Sequence, residues 1–261
     1  MRSLSIGATG MLAQQLNVEV ISNNLANMST TGFKRQRAEF QDLLYENIKR
    51  MGTTSSDAGT VIPSGVQLGT GVKTGSVYRI MGQGNMTSTD NTYDLGVQGR
   101  GYFRILMPNG TEAYTRAGAF QLNGDGQIVT QDGYTVQPGI VIPQNATDVA
   151  ISATGEVAVT LPGQVDPQVV GQLDLATFIN PAGLAATGDN LFTETPASGT
   201  ATVGLPGDEG FGTLLQGYVE AANVNPVQEI TNLISAQRAY ELNSKVITAS
   251  DEMLQTITQI R

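Results

Sequence analysis

Apolar residues recur every seven positions at both ends of this chain, and this spacing constrains the fold more than any other feature. The series near the start consists of Leu4, Met11, Val18 and Leu25, with Gly7, Ile21 and Met28 three positions later. A heptad repeat of this kind is typical of a helix that packs along another helix. The pattern therefore predicts a helix over residues 3–28.

A similar pattern occupies the other end, over residues 226–260. Two adjacent series are present there, formed by Leu233, Tyr240, Ile247 and Leu254 and by Ala239, Val246, Met253 and Ile260. Asn225, Pro226 and Gln228 predict the helix start, since they fit an N-cap, a first helical residue and a capping partner. A helix of this length extends for about 52 Å, which is more than a small β domain can cover.

Two interpretations of these apolar stripes are open. In an ordinary helical hairpin the stripes face each other inside one chain, as amphipathic helices usually do. In a polymer subunit, one stripe of each helix faces its own chain and the other faces a neighbouring copy. The residues predicted to form such an assembly interface are Leu4, Met11, Val18, Ile21, Leu25, Met28, Leu233, Tyr240, Val246, Ile247, Met253, Leu254 and Ile257.

The residues between the two ends alternate short apolar runs with turns. Strands are predicted over residues 97–107, 111–120, 126–136, 147–161, 169–180 and 190–195. The turns predicted between them are Pro108-Asn109-Gly110, Asn123-Gly124-Asp125-Gly126 and Asp132-Gly133. The predicted fold class is α+β, with long terminal helices in a coiled-coil-like domain, an extended connecting layer and an inserted, mostly antiparallel β domain.

The segment after the first helix gives weaker signals. Gly32 is predicted to end that helix. The helical spacing of Phe40, Leu43, Leu44 and Ile48 favours a short helix over residues 38–50, with an extended conformation as the alternative. Residues 52–75 are rich in Gly, Ser and Thr, which is typical of extended chain or loop.

A cluster of basic residues follows the first helix. Lys34, Arg35 and Arg37 together fit an anion-binding site. The alternative, which we prefer, is that they pair with the acidic residues of the next segment. Those acidic residues are Glu39, Asp42 and Glu46.

Composition removes several classes of function. The 261 residues include no His and no Cys, so the commonest general base, the commonest metal ligand and the thiol nucleophile are missing. We therefore predict no enzyme activity, no catalytic residues, no cofactor and no metal. Residues 117–237 hold twelve acidic residues and no Lys or Arg, which opposes nucleic-acid binding. No apolar run is long enough to span a membrane, and a cleavable secretory signal is not expected.

Several motifs resemble those of the bacterial flagellar rod and hook proteins. At the N-terminal end they are Ser22-Asn23-Asn24-Leu25-Ala26-Asn27 and Thr31-Gly32-Phe33-Lys34, and near the centre they are Gly99-Arg100-Gly101-Tyr102-Phe103 and Ala113-Tyr114-Thr115-Arg116-Ala117-Gly118. At the C-terminal end they are Asn223-Val224-Asn225-Pro226 and the run from Ser235 to Lys245. The resemblance spans nearly the whole chain and is strongest to the distal rod members of that family.

The resemblance implies a function and a set of partners. It implies a structural subunit of the distal rod, which forms a hollow helical shaft and transmits motor torque to the hook across the periplasm. The implied partners are other copies of the chain, the proximal rod proteins, the hook protein, the peptidoglycan and outer-membrane bushing rings, and the flagellar type III export apparatus. Alternatives are another flagellar axial protein, a coiled-coil interaction module and a secreted β-domain adhesin.

The resemblance also implies a division of the chain. Residues 1–36 and 224–261 would form the inner helical domain, residues 37–84 and 212–223 the connecting domain, and residues 85–211 the outer β domain. A stretch within the connecting domain is implied to keep the shaft straight, although a solvated linker is the alternative. The residues of this rigidity segment are Tyr45, Met51, Val61, Ile62 and Pro63.

Overall fold

The computed structural model describes residues 2–49, 51, 64–164 and 166–259, and only the backbone of Ile257. The chain separates into two compact units. The helical unit comprises Met1–Leu25, Gln36–Tyr78 and Pro226–Arg261, and the β unit comprises Ala26–Arg35 and Arg79–Asn225. The predicted connecting domain is divided between these units, because residues 79–84 and 212–223 belong to the β unit. The α+β class is confirmed.

The long helices are Arg2–Ala26 (α1) and Pro226–Gln259 (α2). The predicted start of α2 is confirmed, whereas the prediction that Gly32 ends the first helix is wrong. Helix α1 ends six residues earlier, and Met28 lies in the turn beyond it. Gly32 has a positive φ of 71°, and a Cβ atom there would lie 2.6 Å from the backbone nitrogen of Ala117. A glycine is therefore needed at position 32, where two backbone segments of the β unit approach each other closely.

Four strands follow α1 in the chain, namely Gln36–Asp42 (β1), Tyr45–Lys49 (β2), Val66–Gly69 (β3) and Val72–Arg79 (β4). Strand β1 pairs with β4, and β2 pairs with β3 in an antiparallel ladder. The short helix favoured over residues 38–50 is therefore wrong. Of the apolar residues in this stretch, Leu44 and Ile48 are exposed, so a helix here would not have a fully buried apolar face. Pairing with the later strands determines the conformation instead.

The β unit contains the remaining strands, which are short. They are Met86–Ser88 (β5), Leu95–Gln98 (β6), Tyr102–Leu106 (β7), Glu112–Thr115 (β8), Gln121–Leu122 (β9), Ile128–Val129 (β10), Thr135–Val136 (β11), Asp148–Ile151 (β12), Glu156–Thr160 (β13), Gln168–Gln172 (β14), Leu175–Thr177 (β15), Ala185–Gly188 (β16), Leu191–Thr193 (β17), Thr202–Gly204 (β18), Thr213–Gln216 (β19) and Tyr218–Glu220 (β20). A 3-10 turn occupies Pro181–Gly183.

The largest sheet has the strand order β16-β17-β8-β7-β11-β10-β9, with β15 paired to both β7 and β18. Strands β12, β13 and β14 form a second sheet, and the pairs β6–β19 and β5–β20 join the two ends of the β unit. The strands in these ladders pair in antiparallel fashion, as predicted.

Several predicted strands are interrupted. The stretch 97–107 contains β6 and β7, separated at Gly99 and Gly101, which have φ values of 103° and 142°. The stretches 126–136 and 147–161 likewise each contain two strands joined by a turn. The predicted turns are confirmed, since Gly110, Gly126 and Gly133 have positive φ and donate hydrogen bonds that close them.

Large apolar side chains fill the core of the β unit. Phe103 and Phe120 meet edge to face with ring centroids 5.0 Å apart, and both are at least 99% buried. A smaller cluster contains Tyr102, Tyr114, Phe178 and Phe192, together with Ala176 and Leu184. The β unit therefore buries its own hydrophobic residues.

Candidate assembly interface

Helices α1 and α2 approach each other closely at glycines. A Cβ atom on Gly7 would lie 2.9 Å from Cγ1 of Ile247, and one on Gly10 would lie 2.9 Å from Nδ2 of Asn243. The partner number falls as the α1 number rises, so the helices run antiparallel. Glycine at these positions removes the side chains that would otherwise separate the two backbones.

A buried polar pair lies further along the same contact. Nδ2 of Asn24 donates to Oε2 of Glu229 at 3.1 Å, and both residues are 1% exposed. Asn24 also exchanges two hydrogen bonds of 2.8 Å with the backbone of Gln36, at the start of β1. Buried polar groups that must find each other can fix the register of two helices. Asn24 therefore links α1, α2 and β1.

The inward line of α2 consists of small and polar residues spaced by seven. Its members are Glu229, Ala236, Asn243 and Ser250. Glu229, Ala236 and Ser250 are buried, and Asn243 is half-buried. A search for apolar residues spaced by seven does not find this line. A search for small and polar residues at the same spacing would have found it.

Large apolar side chains lie on the outside of the two helices. Leu12 is 66% exposed, Leu242 is 62% exposed and Met253 is 60% exposed. The others are Ile6, Val227, Ile230, Ile234, Tyr240 and Val246. A helix pair that buries glycine and asparagine while exposing leucine does not cover its apolar surface within one chain.

The predicted interface residues fall into three groups. Ile21 is buried. The half-buried members are Leu4, Met11, Val18, Leu25, Leu233, Ile247 and Leu254, and the exposed ones are Met28, Tyr240, Val246 and Met253. Ile257 lies on α2, and its side chain is outside the described part of the chain. Among these, Ile247 is the residue that directly faces Gly7.

A groove with a volume of about 480 Å³ runs between the helices on one side of the pair. Its lining residues are Gln15, Val18, Glu19, Gln237, Tyr240 and Glu241. Val18 and Tyr240 contribute apolar lining, and the two glutamates are exposed. Gln15 donates a hydrogen bond to Glu19 at 3.1 Å.

The predicted rigidity segment is only partly described. Tyr45 lies opposite Gly69 in the β2–β3 ladder, and both Tyr45 and Met51 are exposed. Val61, Ile62 and Pro63 lie outside the described residues. A hydrogen bond to Asp42 raises the pKa of the Tyr45 hydroxyl. Residues 45–49 of this segment are thus held in a paired strand.

A buried ion cluster, formed by Lys34, Arg116 and Glu220, lies within the β unit. Nζ of Lys34 donates to Oε1 of Glu220 at 2.5 Å and to the carbonyl oxygen of Gly82 at 3.0 Å. Nε of Arg116 lies 3.1 Å from Oε2 of Glu220. All three side chains are at most 5% exposed. Burial lowers the pKa of Lys34, Glu220 opposes this effect and Arg116 reinforces it.

The ion cluster also binds the backbone around it. Arg116 donates to the carbonyl oxygens of Gly99 and Gly101 at 2.7 Å each. The backbone N–H of Gly84 donates to Glu220 at 2.7 Å. Two positive charges share one carboxylate, and carbonyl oxygens supply the remaining acceptors. The cluster thereby ties five separate segments of the β unit together.

The predicted pairing of the basic cluster is only partly confirmed. Arg37 lies 3.8 Å from Glu39, as the preferred alternative expected. The prediction is wrong for Lys34, which pairs with Glu220. That partner is 186 positions away, so the nearby acidic residues could not indicate it.

Three segments of the chain match families of known proteins, and several known proteins are similar over nearly the whole chain. Residues 4–34 match the description "Flagella basal body rod protein", residues 96–159 match "Flagellar hook protein FlgE/F/G D1 domain" and residues 215–260 match "Flagellar basal body rod FlgEFG protein C-terminal". A protein of Caulobacter vibrioides named "Flagellar basal-body rod protein FlgG" is 64% identical over 261 residues, covering 100% of both chains. The chain belongs to the flagellar basal-body rod protein family.

More distant members of the rod family are also similar over nearly the full length. A Bacillus subtilis protein, also named FlgG, is 40% identical over 268 residues, covering 100% of this chain and 99% of its own. A Caulobacter vibrioides protein named FlgF is 32% identical over 261 residues, covering 96% and 94%. The similarity to the proteins named FlgG is therefore greater than that to this FlgF.

The segments matched to the rod family meet in the ion cluster. Lys34 belongs to the first matched segment, Arg116 to the second and Glu220 to the third. In the described part of the chain, no group of acidic side chains is arranged to hold a metal ion. Neither described helix is apolar enough over a sufficient length to cross a membrane.

Proposed function

We propose that this chain is a structural subunit of the distal rod of the bacterial flagellar basal body. Copies would polymerise helically into a hollow, rigid shaft that spans the periplasm and transmits motor torque to the hook. The 64% identity to a protein named FlgG, against 32% to one named FlgF, supports the distal over another rod position.

The observation that carries this proposal is the inverted helix pair. Gly7, Asn24 and Ala236 face inward, whereas Leu12 and Leu242 are exposed. Fully burying a leucine contributes about 1.5–3 kcal/mol relative to leaving it in water. A helical polymer gives each copy neighbours on several sides, which supplies the missing burial. The predicted interface residues on both helices would pack against those neighbours in a coiled-coil-like inner tube.

The three layers proposed for the subunit are those that the resemblance to the rod family implies. Residues 1–36 and 224–261 would form the inner tube, residues 37–84 and 212–223 a connecting layer, and residues 85–211 the outer β domain. The partners would be further copies of the chain, the proximal rod proteins, the hook protein and the two bushing rings. Export through the flagellar type III apparatus would precede assembly.

Complementation tests the proposed position. The chain is expressed in a Caulobacter vibrioides strain that lacks its FlgG, and basal bodies are imaged by electron microscopy. We expect rods that carry hooks, and swimming cells. A strain lacking FlgF serves as the control, and the chain should not restore hooks there. Rescue of the FlgF strain but not the FlgG strain would contradict the distal assignment.

The rigidity of the shaft has its own test. We propose that the segment from Tyr45 to Pro63 packs between neighbouring copies and resists bending, because its described end forms the paired β2–β3 ladder. Deletion of residues 46–63 should leave polymers that still assemble through the helices but curve more readily in electron micrographs. Deletion polymers as straight as those of the native chain would identify the segment as a passive linker.

A further inference from the structure

We propose that a cavity in the β unit binds a carboxylate that is carried on an apolar body. The cavity has a volume of about 270 Å³ and lies beside the ion cluster, because Arg116 belongs to both. Arg100 and Tyr102 also line it, and its apolar walls include Met81 and Phe178. All of its lining residues belong to the β unit, so this inference does not depend on the proposed function.

The ion cluster holds one more positive charge than negative charge. Lys34 and Arg116 are both cations, and Glu220 is the only carboxylate that pairs with them in the described part of the chain. All three side chains are at most 5% exposed, so bulk water compensates little of the excess. Arg116 brings this excess to the wall of the cavity. Burying an incompletely compensated charge is costly, and an anion in the cavity would reduce that cost.

Arg100 adds a second guanidinium to the cavity. Residues 85–211 contain only three basic residues, and the other two, Arg104 and Arg116, form ion pairs. Within the described ranges, the guanidinium of Arg100 forms neither an ion pair nor a hydrogen bond. The whole chain has a net charge of −9, so two guanidinium groups at one cavity are a local exception to its acidic character.

Tyr102 contributes a hydrogen-bond donor and aromatic surface. Its side chain is 5% exposed, and its hydroxyl forms no hydrogen bond with any described residue. Buried hydroxyls normally have a partner, so this one can serve a ligand. Burial raises the pKa of Tyr102, so the hydroxyl is protonated at neutral pH and can donate. The Arg116 guanidinium lies 5.6 Å from the centre of the Tyr102 ring, and Phe178 meets that ring edge to face at 5.8 Å.

These features together favour a carboxylate over other anions. A carboxylate presents two oxygens in one plane, which suits the planar donors of a guanidinium. An apolar body attached to it would cover Met81 and Phe178, which a hydrated inorganic anion would leave uncovered. Two sources supply this chemistry, namely a free organic acid and an acidic residue of a second copy with its neighbouring side chains.

Fluorine NMR tests the site in the full chain, with para-fluorobenzoate as the probe. Salt at about 0.15 M screens acidic residues that lie more than about 8 Å from the cavity. We expect the fluorine resonance to broaden or shift as the chain is added, with a Kd in the millimolar range or tighter. The probe para-fluorobenzamide has the same ring without the charge, and it should bind at least about tenfold more weakly.

Three substitutions identify the groups responsible for binding. Arg100→Gln should raise the Kd of para-fluorobenzoate by about threefold or more. Lys34→Met should do the same, because it removes the excess charge of the ion cluster without changing the lining of the cavity. Thr177→Trp should abolish binding, because the indole would occupy the cavity. Lys73→Gln is the matched control, since it removes an exposed cation of the helical unit and should leave the Kd unchanged.

The near-ultraviolet circular dichroism of the tyrosines shows whether each variant is folded. Arg100 is exposed, so Arg100→Gln decides the matter if the other two variants do not fold. Equal binding of the charged and neutral probes would overturn the proposal. Equal Kd values for Arg100→Gln and Lys73→Gln would overturn it as well.

The same titration of assembled polymers separates the two sources of the carboxylate. Binding that persists in the polymer supports a free acid, and binding that is lost on assembly supports an acidic residue of a second copy. A chain that forms native rods but does not bind the probe would overturn this site and leave the proposed function intact. A chain that binds the probe but forms no rods would support the site and contradict the proposed function.

Discussion

The two units of this chain differ in which side chains they bury. In the β unit, Phe103 and Leu95 are fully buried, and the buried Lys34 and Arg116 share the carboxylate of Glu220. In the helical unit, the inward positions include Gly7, Asn24 and Glu229, whereas Leu12 and Leu242 are exposed. One unit is stabilised by its own core, while the other leaves large apolar side chains exposed.

The largest loss of unfolding free energy should come from a substitution in the hydrophobic core of the β unit. Phe103→Ala removes a fully buried ring that meets Phe120 edge to face, and should cost about 3–5 kcal/mol of unfolding free energy. Leu242→Ala is the control in the helical unit and should change monomer stability by less than about 0.5 kcal/mol. Urea unfolding followed by the near-ultraviolet circular dichroism of the tyrosines measures both. Equal losses would remove the distinction between the units.

Substitutions in the ion cluster should show which of its charges contributes most to the free energy of unfolding. Glu220→Leu leaves Lys34 and Arg116 buried without their shared carboxylate and should cost about 3 kcal/mol. Lys34→Met should cost about 1 kcal/mol, because Glu220 keeps Arg116 as a partner. The same urea titration gives both values. A more harmful lysine substitution would mean that Lys34, and not Glu220, holds the cluster together.

The close approach of the helices should be sensitive to added volume. Gly7→Leu would force its side chain against Ile247, so we expect a cost of about 1–3 kcal/mol to the helix pair. Ala8→Leu adds similar bulk at the next, exposed position and should leave the pair intact. Helical circular dichroism during urea titration distinguishes the two variants. Similar behaviour of both would show that α1 and α2 do not pack through Gly7 in solution.

The smallest expected effect concerns Tyr114, whose hydroxyl donates to Glu194 at 2.9 Å. Burial, followed by this hydrogen bond, raises its pKa above the ordinary value of 10.0. The native fold therefore favours the protonated phenol, and this stabilisation is complete below about pH 10 and is lost as the pH rises further.

Tyr114→Phe removes that dependence. The variant should be about 1 kcal/mol less stable at neutral pH, through loss of the hydrogen bond. Its stability should then fall less than that of the native chain between about pH 10 and 12. Thermal unfolding across this range gives the comparison, and parallel curves for the two proteins would exclude Tyr114 as the titrating group.

The sequence predicted those elements whose signals are local. The start of α2 at Pro226 and the turn at Asn123–Gly126 depend on neighbouring residues, and both are confirmed. The helix favoured over residues 38–50 failed because pairing with β3 and β4, which come later in the chain, outweighs local spacing. Propensity is overridden in this way wherever distant strands supply the hydrogen bonds.

The candidate interface was predicted in part. The spacing of seven was recognised, but it was assigned to apolar residues, whereas Ala236 and Ser250 form the inward line of α2. The pairing of Asn24 with Glu229 and of Lys34 with Glu220 joins residues about two hundred positions apart. Neither spacing nor composition identifies such pairs, because their proximity is created only by the complete fold.

The distance along the chain between Lys34 and Glu220 has a consequence for the order in which the protein can fold. From whichever end the chain becomes available, the ion cluster cannot close until more than half of the sequence is present, because its two partners are 186 positions apart. The pairing of β5 with β20 and of β6 with β19 carries the same delay, because distant contacts form only after their loop entropy has been overcome. The ion cluster and these two strand pairs are therefore among the last parts of the β unit that can form.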